Sequence, residues 1–208
     1  WHVPVSSFPL SAHRGPSSIN WPIAMGKTRT GLTIFWPDDG LDEGPIMLQK
    51  SCEIGPDETL GDVYFGKLFP LGVDAMLEGL DLVKAGIIIK QDQRLEDGSY
   101  DSWAKKKAAA IDWAKPSSDT YNTIRAANPA PGAWTVHQGK TLKIYDSAHL
   151  VGDGTPGEVV ALDGDGITVQ CAGGRVLVKR VRPEEGGKQP AVDWAASVGL
   201  QVGDRLGL

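Results

Sequence analysis

Cysteine is scarce: the chain has two, Cys52 and Cys171, too far apart to suggest a metal-ligand spacing. That scarcity argues against a disulfide framework or a zinc site and makes a reducing, cytoplasmic setting the expectation. Long apolar runs are also missing. None approaches the roughly 20 residues that cross a bilayer, so no membrane partner is expected. The first residues, WHVPVSSFPLS, lack the charged start and apolar core of a secretory leader. No GxGxxG follows a strand candidate, and GxxxxGK[ST] and GxSxG do not occur, so dinucleotide, P-loop and hydrolase-elbow readings lack their defining residues. Basic charge is in deficit, with 21 Lys and Arg against 26 Asp and Glu. Nothing global therefore advertises nucleic-acid binding. No repeat at solenoid spacing is present.

What is present suits a soluble globular chain of one large or two small domains. Ser17 to Met25 reads as a short helix ending near Gly26. GLTIFW and PIMLQKSCEI are short β-branched and aromatic runs of the kind that form strands. From Leu60 to Val83 apolar residues recur at threes and fours, predicting a long amphipathic helix over 58–85. Asp57 or Thr59 can cap it, Pro70 should kink it and Gly86 can end it. QDQRLEDGSY (91–100) reads as a linker, and the basic, alanine-rich WAKKKAAAIDW follows. Pro116 to Ala127 reads as a helix with a serine cap, stopped by Asn128-Pro129. After Pro131 the runs KTLKIYD, GEVVALD, GITVQC and RVLVKRV, separated by Gly and Asp, predict a small barrel. PAVDWAASVGL reads as a late helix and QVGDRL as a closing strand.

The two early strand candidates enclose an acidic loop. TGLTIFWPDDGLDEGPIMLQK (30–50) places Asp38, Asp39, Asp42 and Glu43 between them, spaced by two glycines. Four carboxylates on a tight loop are either a solvated hairpin tip or an active-site loop with one working carboxylate.

HRGPSSINW (13–21), TGLTIFWPDDGLDEGPIMLQK (30–50), IGPDETLGDVYFGKLFPLG (54–72), IDWAKPSSDTYNTIRAANPAPGAW (111–134) and GEVVALDGDGITVQCAGGRVLVKRVRP (157–183) occur in this order. Together they resemble the 10-formyltetrahydrofolate-dependent formyltransferase family over nearly the whole chain from His13. The resemblance implies an α/β fold: the C-terminal part of a Rossmann-like formyltransferase domain over 1–100, then a small OB-like β-barrel domain over 101–208. It implies 10-formyltetrahydrofolate as formyl donor. Asp42, in GLDEG, maps onto the family's catalytic aspartate, which orients a histidine and organises a proton-shuttling water. Pro37, Asp38, Asp39, Gly40 and Leu41 map onto the loop that folds around the pterin, although Asp38, Asp39 and Glu43 also read as solvent-facing or loop-shaping. The family's branches differ in acceptor: the amine of methionyl-tRNA, or water. A third reading is an inactive binding module.

Two departures from the family pattern carry expectations. The family's nucleotide-binding-like half of alternating strands and helices has no counterpart here, so an N-terminally truncated chain is expected, with self-association through its incomplete sheet. Counting back from His13-Arg14-Gly15 places Ser6 where the catalytic histidine of NxHPSLLPxxRG belongs, and Pro4 where its asparagine belongs. Neither replaces an imidazole near neutral pH. His2 is a displaced histidine or a stray terminal one; His13 reads as structural or folate-adjacent. Trp21 and Trp36 read as core. Arg14 suits either a ligand anion or a structural ion pair, and Asn20 a site-adjacent or surface amide. Arg175, Lys179, Arg180 and Arg182 include alternating positions on one strand, either a solvated edge or a surface through which the barrel contacts initiator methionyl-tRNA.

Overall fold

The computed structural model describes residues 13–15, 17–94, 96, 99–100 and 106–207. The described residues fall into two units that part between 104 and 105, save that 24–26 go with the second. His2 and the Pro4 and Ser6 positions lie outside the described residues, as do the side chains of His13 and Arg14.

The first unit runs β1 (His13–Arg14), α1 (Asn20–Ala24), β2 (Arg29–Phe35), β3 (Ile46–Glu53), α2 (Leu60–Val63), α3 (Phe69–Lys84) and β4 (Ser99–Tyr100). β2 and β3 are the two apolar runs, paired antiparallel from Arg29 with Glu53 to Phe35 with Ile46, and their register shifts between Ile34 and Phe35. Such an irregularity turns the strand end, and here it lies next to the acidic loop. β2 is buried along nearly its whole length. Leu32, Ile34 and Met47 form a core with Ala75 of α3, flanked by Trp36, Leu48 and Leu71. Each such large side chain is worth about 1.5–3 kcal/mol when buried. α3 packs against β3 at Gly79, where a Cβ would stand in ordinary contact, 3.4 Å from the Met47 sulfur.

The expected long helix is helical from Leu60 to Lys84 but not uniformly α. Thr59 caps it through a reciprocal pair with Asp62, after which Tyr64–Leu68 form a π turn. Pro70 follows inside the first turn of α3. Proline supplies no N–H to the preceding turn, so the ladder steps to an i→i+5 bond, with the Phe69 N–H donating to the Tyr64 carbonyl. The kink anticipated at Pro70 is thus a widened turn just before it. The stretch read as a linker is structured at both ends. Gln91 bridges Ile46, and β4 pairs in parallel with β1.

The second unit holds α4 (Ser117–Ala126), β5 (Ala133–His137), β6 (Lys140–Ile144), β7 (Ser147–Leu150), β8 (Val159–Asp163), β9 (Gly166–Cys171), β10 (Gly174–Val178), β11 (Arg180–Pro183), β12 (Gln189–Pro190) and α5 (Ala191–Val198). A 3-10 turn at Lys106–Ala109 precedes them. The strands form two four-stranded antiparallel sheets, ordered β7-β10-β9-β8 and β12-β11-β6-β5. Among the described residues these pairings do not close into one barrel. Hairpins with Gly at their turns, such as Gly139 at φ +77° and Gly173 at φ +61°, keep successive strands adjacent and account for the open ladders.

Three smaller expectations are corrected. QVGDRL is no strand; it meets the start of β8 through a bridge from Arg205 to Glu158 and through backbone bonds in which the Gly203 N–H donates to the Val159 carbonyl and the Val159 N–H to the Asp204 carbonyl. The serine cap of α4 is absent: Pro116 takes the cap position, and Ser117 instead hydrogen-bonds His149 Nε2 at 2.7 Å. The basic run is divided, with Arg175 in β10 and Arg180 and Arg182 in β11. The core between the sheets gathers Ile144, Val159, Ile167, Val169, Val176, Val178 and Val181 with Trp113 and Trp194. Gln170 is fully buried in it, with its amide donating to the Gly174 and Cys171 carbonyls and its oxygen accepting from Arg175. A buried amide so saturated is tolerated in an apolar core.

Candidate functional site

The acidic loop spans 36–45, between the end of β2 and the start of β3. Its base is closed by the Trp36 N–H donating to the Pro45 carbonyl at 2.9 Å. Gly44 is required at this closure: a Cβ there would fall 1.8 Å from the Trp36 carbonyl oxygen. At the tip, the Asp38 carboxylate accepts from the Gly40 N–H at 3.0 Å, a side-chain turn of the kind aspartate favours. Pro37, Asp38, Asp39, Gly40 and Leu41 are all exposed, Leu41 by 69%.

Asp42 differs from its neighbours in two ways. It is half-buried where the other loop carboxylates are exposed. Its backbone is left-handed, at φ +60°, one of two non-glycine residues so placed among the described residues. Most L-residues pay roughly 1–2 kcal/mol to enter this region, and aspartate is among the few non-glycine residues that visit it.

A residue 51 positions away bonds to this turn. The Gln93 Nε2 group donates to the Asp42 carbonyl at 3.0 Å and to the Gly44 carbonyl at 2.7 Å. A side-chain amide nitrogen carries two hydrogens, and these two bonds use both. Each contributes about 0.5–1.5 kcal/mol. Two further contacts seat the same segment: the Trp36 indole donates to the Ile89 carbonyl at 2.8 Å, and Ile46 and Gln91 exchange backbone bonds at 2.7 and 3.0 Å. Trp36 thus packs on the first unit's core while binding the 89–93 segment. Nothing local in QDQRLEDGSY signals this role, since its partners are backbone carbonyls half a unit away in sequence.

The other candidates are placed as follows. His13 and Arg14 form β1, while Asn20 opens α1 and Trp21 follows it, both half-buried. In the second unit, register sets Trp134, Lys143 and Arg182 side by side across β5, β6 and β11. The Lys106 ammonium sits 5.1 Å over the Trp134 ring, and Lys106, Thr141, Lys143, Arg182 and Glu184 line a hollow of about 210 Å³. Arg175 stands apart, bound to Gln170 and to the Asp153 carbonyl. Among the described residues no group of three His, Cys, Asp or Glu could hold a metal ion, and no helix is long and apolar enough to cross a membrane.

The first unit is thus a strand pair enclosing an acidic loop with a capped helix packed on it, and the second a two-sheet unit. Residues 7–68 match the family model "Formyl transferase", and residues 104–199 match "Formyl transferase, C-terminal domain". The chain belongs to the formyltransferase family. It is 36% identical to the cytosolic 10-formyltetrahydrofolate dehydrogenase of Xenopus laevis over 209 residues, covering 94% of this chain and 23% of that protein. It is also 36% identical to the methionyl-tRNA formyltransferase of Geotalea daltonii over 198 residues, covering 95% of this chain and 63% of that one. It therefore spans under two thirds of either relative. The same fold occurs in HypX from Aquifex aeolicus in complex with tetrahydrofolic acid, at a TM-score of 0.76 and 20% identity over 96% of this chain and 35% of that one.

Proposed function

We propose that the protein uses 10-formyltetrahydrofolate as a formyl donor and passes the formyl group to the amine of methionyl-tRNA, with Asp42 as the working carboxylate. The observation that carries this reading is the half-buried, left-handed Asp42 on an otherwise exposed loop, in a chain of the formyltransferase family. The loop residues fit a folate. Leu41 offers exposed apolar surface beside carboxylate acceptors, the donor set suited to a flat heterocycle bearing N–H groups. When bound, 10-formyltetrahydrofolate supplies a formyl carbon open to attack by an amine. Pro37 to Leu41 would hold its ring.

Formyl transfer requires that the attacking amine lose a proton and that negative charge developing on the formyl oxygen be met by fixed donors or dipoles. Asp42 serves the first need by holding a water and orienting a base. Its carboxylate is an acceptor for that water's hydrogens, and its rigid backbone keeps the acceptor aimed. Asp38 serves the loop rather than the reaction, since its carboxylate already accepts from the Gly40 N–H. The Trp134, Lys143 and Arg182 row with Lys106 supports a phosphate-contacting surface for the tRNA, despite a net charge of −5 for the whole chain.

A second reading, hydrolysis of 10-formyltetrahydrofolate with water as acceptor, is favoured by the likeness to 10-formyltetrahydrofolate dehydrogenases at 36% identity. One experiment separates the readings. In the chain preceded by the family's N-terminal half and carrying Pro4→Asn and Ser6→His, folate release is followed optically with methionyl-tRNA present or absent. Release that depends on methionyl-tRNA supports the proposal, and release without it supports hydrolysis. Asp42→Asn should lower turnover by about 10²–10⁴-fold while leaving the fold intact, and Asp38→Asn should cost far less. Equal loss from both substitutions would refute the assignment of Asp42.

A further inference from the structure

We infer that Gln93 is a positioning residue for the Asp42 carboxylate, acting by fixing the backbone from which that carboxylate projects. The inference rests on the reading of Asp42 given above and names the residue on which that site's geometry depends. Asp42 projects its side chain from a left-handed backbone at φ +60°, so the direction of its carboxylate follows from that turn. Residues 37–41 on one side are exposed and carry one internal side-chain bond, Asp38 to Gly40. On the other side, the Gln93 amide ties Asp42 and Gly44 together through their carbonyls at 3.0 and 2.7 Å, straddling Glu43.

The tether is itself anchored. The Trp36 indole holds Ile89, and Ile46 holds Gln91 from both its N–H and its carbonyl. Residues 89–93 thus run as a strap alongside the base of the loop, with Gln93 at its end reaching over the site. The chemistry is selective, because both accepting atoms are carbonyl oxygens and only a side chain with two donors satisfies them. Glutamate, of the same shape, turns lone pairs toward lone pairs. Lysine supplies three donors from a longer stem.

Three variants test the inference: Gln93→Leu removes the donors at similar volume, Gln93→Glu keeps the shape, and Gln93→Lys restores donors. Amide hydrogen exchange over 38–45 is measured in the chain as it stands, and turnover in the extended chain carrying Pro4→Asn and Ser6→His. Exchange should quicken about tenfold in the Leu and Glu variants and return toward native in the Lys variant. Turnover should follow, with kcat lowered about 10–100-fold, as for a misplaced catalytic group, and KM for the folate within about threefold. The thermal midpoint should not track the loss. Unchanged exchange in Gln93→Leu overturns the inference. So does quickened exchange with native kcat, or a fall of kcat in step with the thermal midpoint that Lys does not rescue. Asp42→Asn is run in parallel. If it leaves turnover intact, the reading of Asp42 fails, and the exchange data alone judge whether Gln93 pins the loop. If it abolishes turnover that Gln93→Leu leaves untouched, the reading stands and the inference is refuted.

Discussion

Gly44→Ala should damage the loop far more than Gly40→Ala, although both add one methyl group to the same loop: Gly44 is buried at its base and Gly40 is exposed at its tip. At Gly44 the added Cβ would lie 1.8 Å from the Trp36 carbonyl oxygen, 3.0 Å from its carbon and 3.4 Å from the Asp38 nitrogen. All three are backbone atoms, so relief requires the two arms of the loop to part by more than an ångström. Parting them breaks the bond from the Trp36 N–H to the Pro45 carbonyl and displaces the carbonyl held by Gln93. Overpacking of this kind costs about 1–3 kcal/mol, and the lost closing bond adds about 0.5–1.5 kcal/mol. The expected destabilisation is therefore about 2–4 kcal/mol. At Gly40 the nearest atom is the Glu43 carboxylate oxygen at 2.7 Å, which can swing into solvent, and the Glu43 Cβ at 3.0 Å asks for only a small shift. That variant should stay within about 0.5 kcal/mol of the native protein, as most surface changes do. Urea unfolding measures the difference, with the slope checked for each variant so that a shift in midpoint is a shift in stability. Amide exchange over 36–46 then reports whether the loss is local. Equal stability of the two variants would refute the reasoning, because it would mean that the loop base is loose enough to absorb a side chain.

Other expectations follow from particular groups. Burial away from water pushes the Cys171 thiol from an ordinary 9.0 up to about 11, against a smaller opposing effect from its hydrogen bond with Thr120. The folded state then keeps a proton that the unfolded state releases above 9, so stability should fall as pH rises between these values. The loss, about 2–3 kcal/mol at full effect, should vanish from the pH profile of Cys171→Ala; identical profiles would contradict it. Phe65, Phe69, Val73 and Leu77 are 67, 58, 48 and 57% exposed, and a groove of about 380 Å³ runs between Tyr64 and Leu77. A contiguous apolar face of this kind should bind a hydrophobic dye and promote self-association, and a dye-silent monomer in sedimentation would dispose of that expectation. The chain as given, with Ser6 and Pro4 at the histidine and asparagine positions, should turn over little or no 10-formyltetrahydrofolate, because groups acting as one unit fail together. Robust turnover would mean that His2 or His13 serves as the base.

The elements that could be read from sequence were those whose signals are local. β2 and β3 showed as apolar, β-branched runs ending at Pro37 and Gly55. The helix from Leu60 showed as a threes-and-fours pattern with Thr59 three residues before Asp62, and that pair forms the cap. What local pattern missed were exchanges between local and distant partners. Pro70 was legible as a disturbance, but whether the ladder kinks or widens depends on which carbonyl the preceding N–H finds. Ser117 reads as a cap, yet His149, 32 residues on, takes its hydroxyl. RVLVKRV reads as one strand, whereas the chain passes from one sheet to the other at Lys179, whose N–H donates to the Asp146 carbonyl. That the region after Pro131 is built of short strands could be read, while their number and the way their ladders join could not, because ladder partners are set by packing over the whole unit.

The candidate site divides along the same line. Asp42 could be singled out because four carboxylates on a tight loop are unusual and because GLDEG falls in a family motif. Its left-handed backbone had only a weak signal in composition, since aspartate tolerates that conformation but rarely declares it from sequence alone. Gln93 had still less. It is a polar residue in a polar stretch, and its importance comes from two carbonyls 51 and 49 positions away. A carboxylate can be recognised from its sequence neighbours, but the group that aims it is recognisable only once the chain has folded. The direction of the carboxylate is thus tied to the amide at the end of the 89–93 strap, a link that appears only in the folded chain.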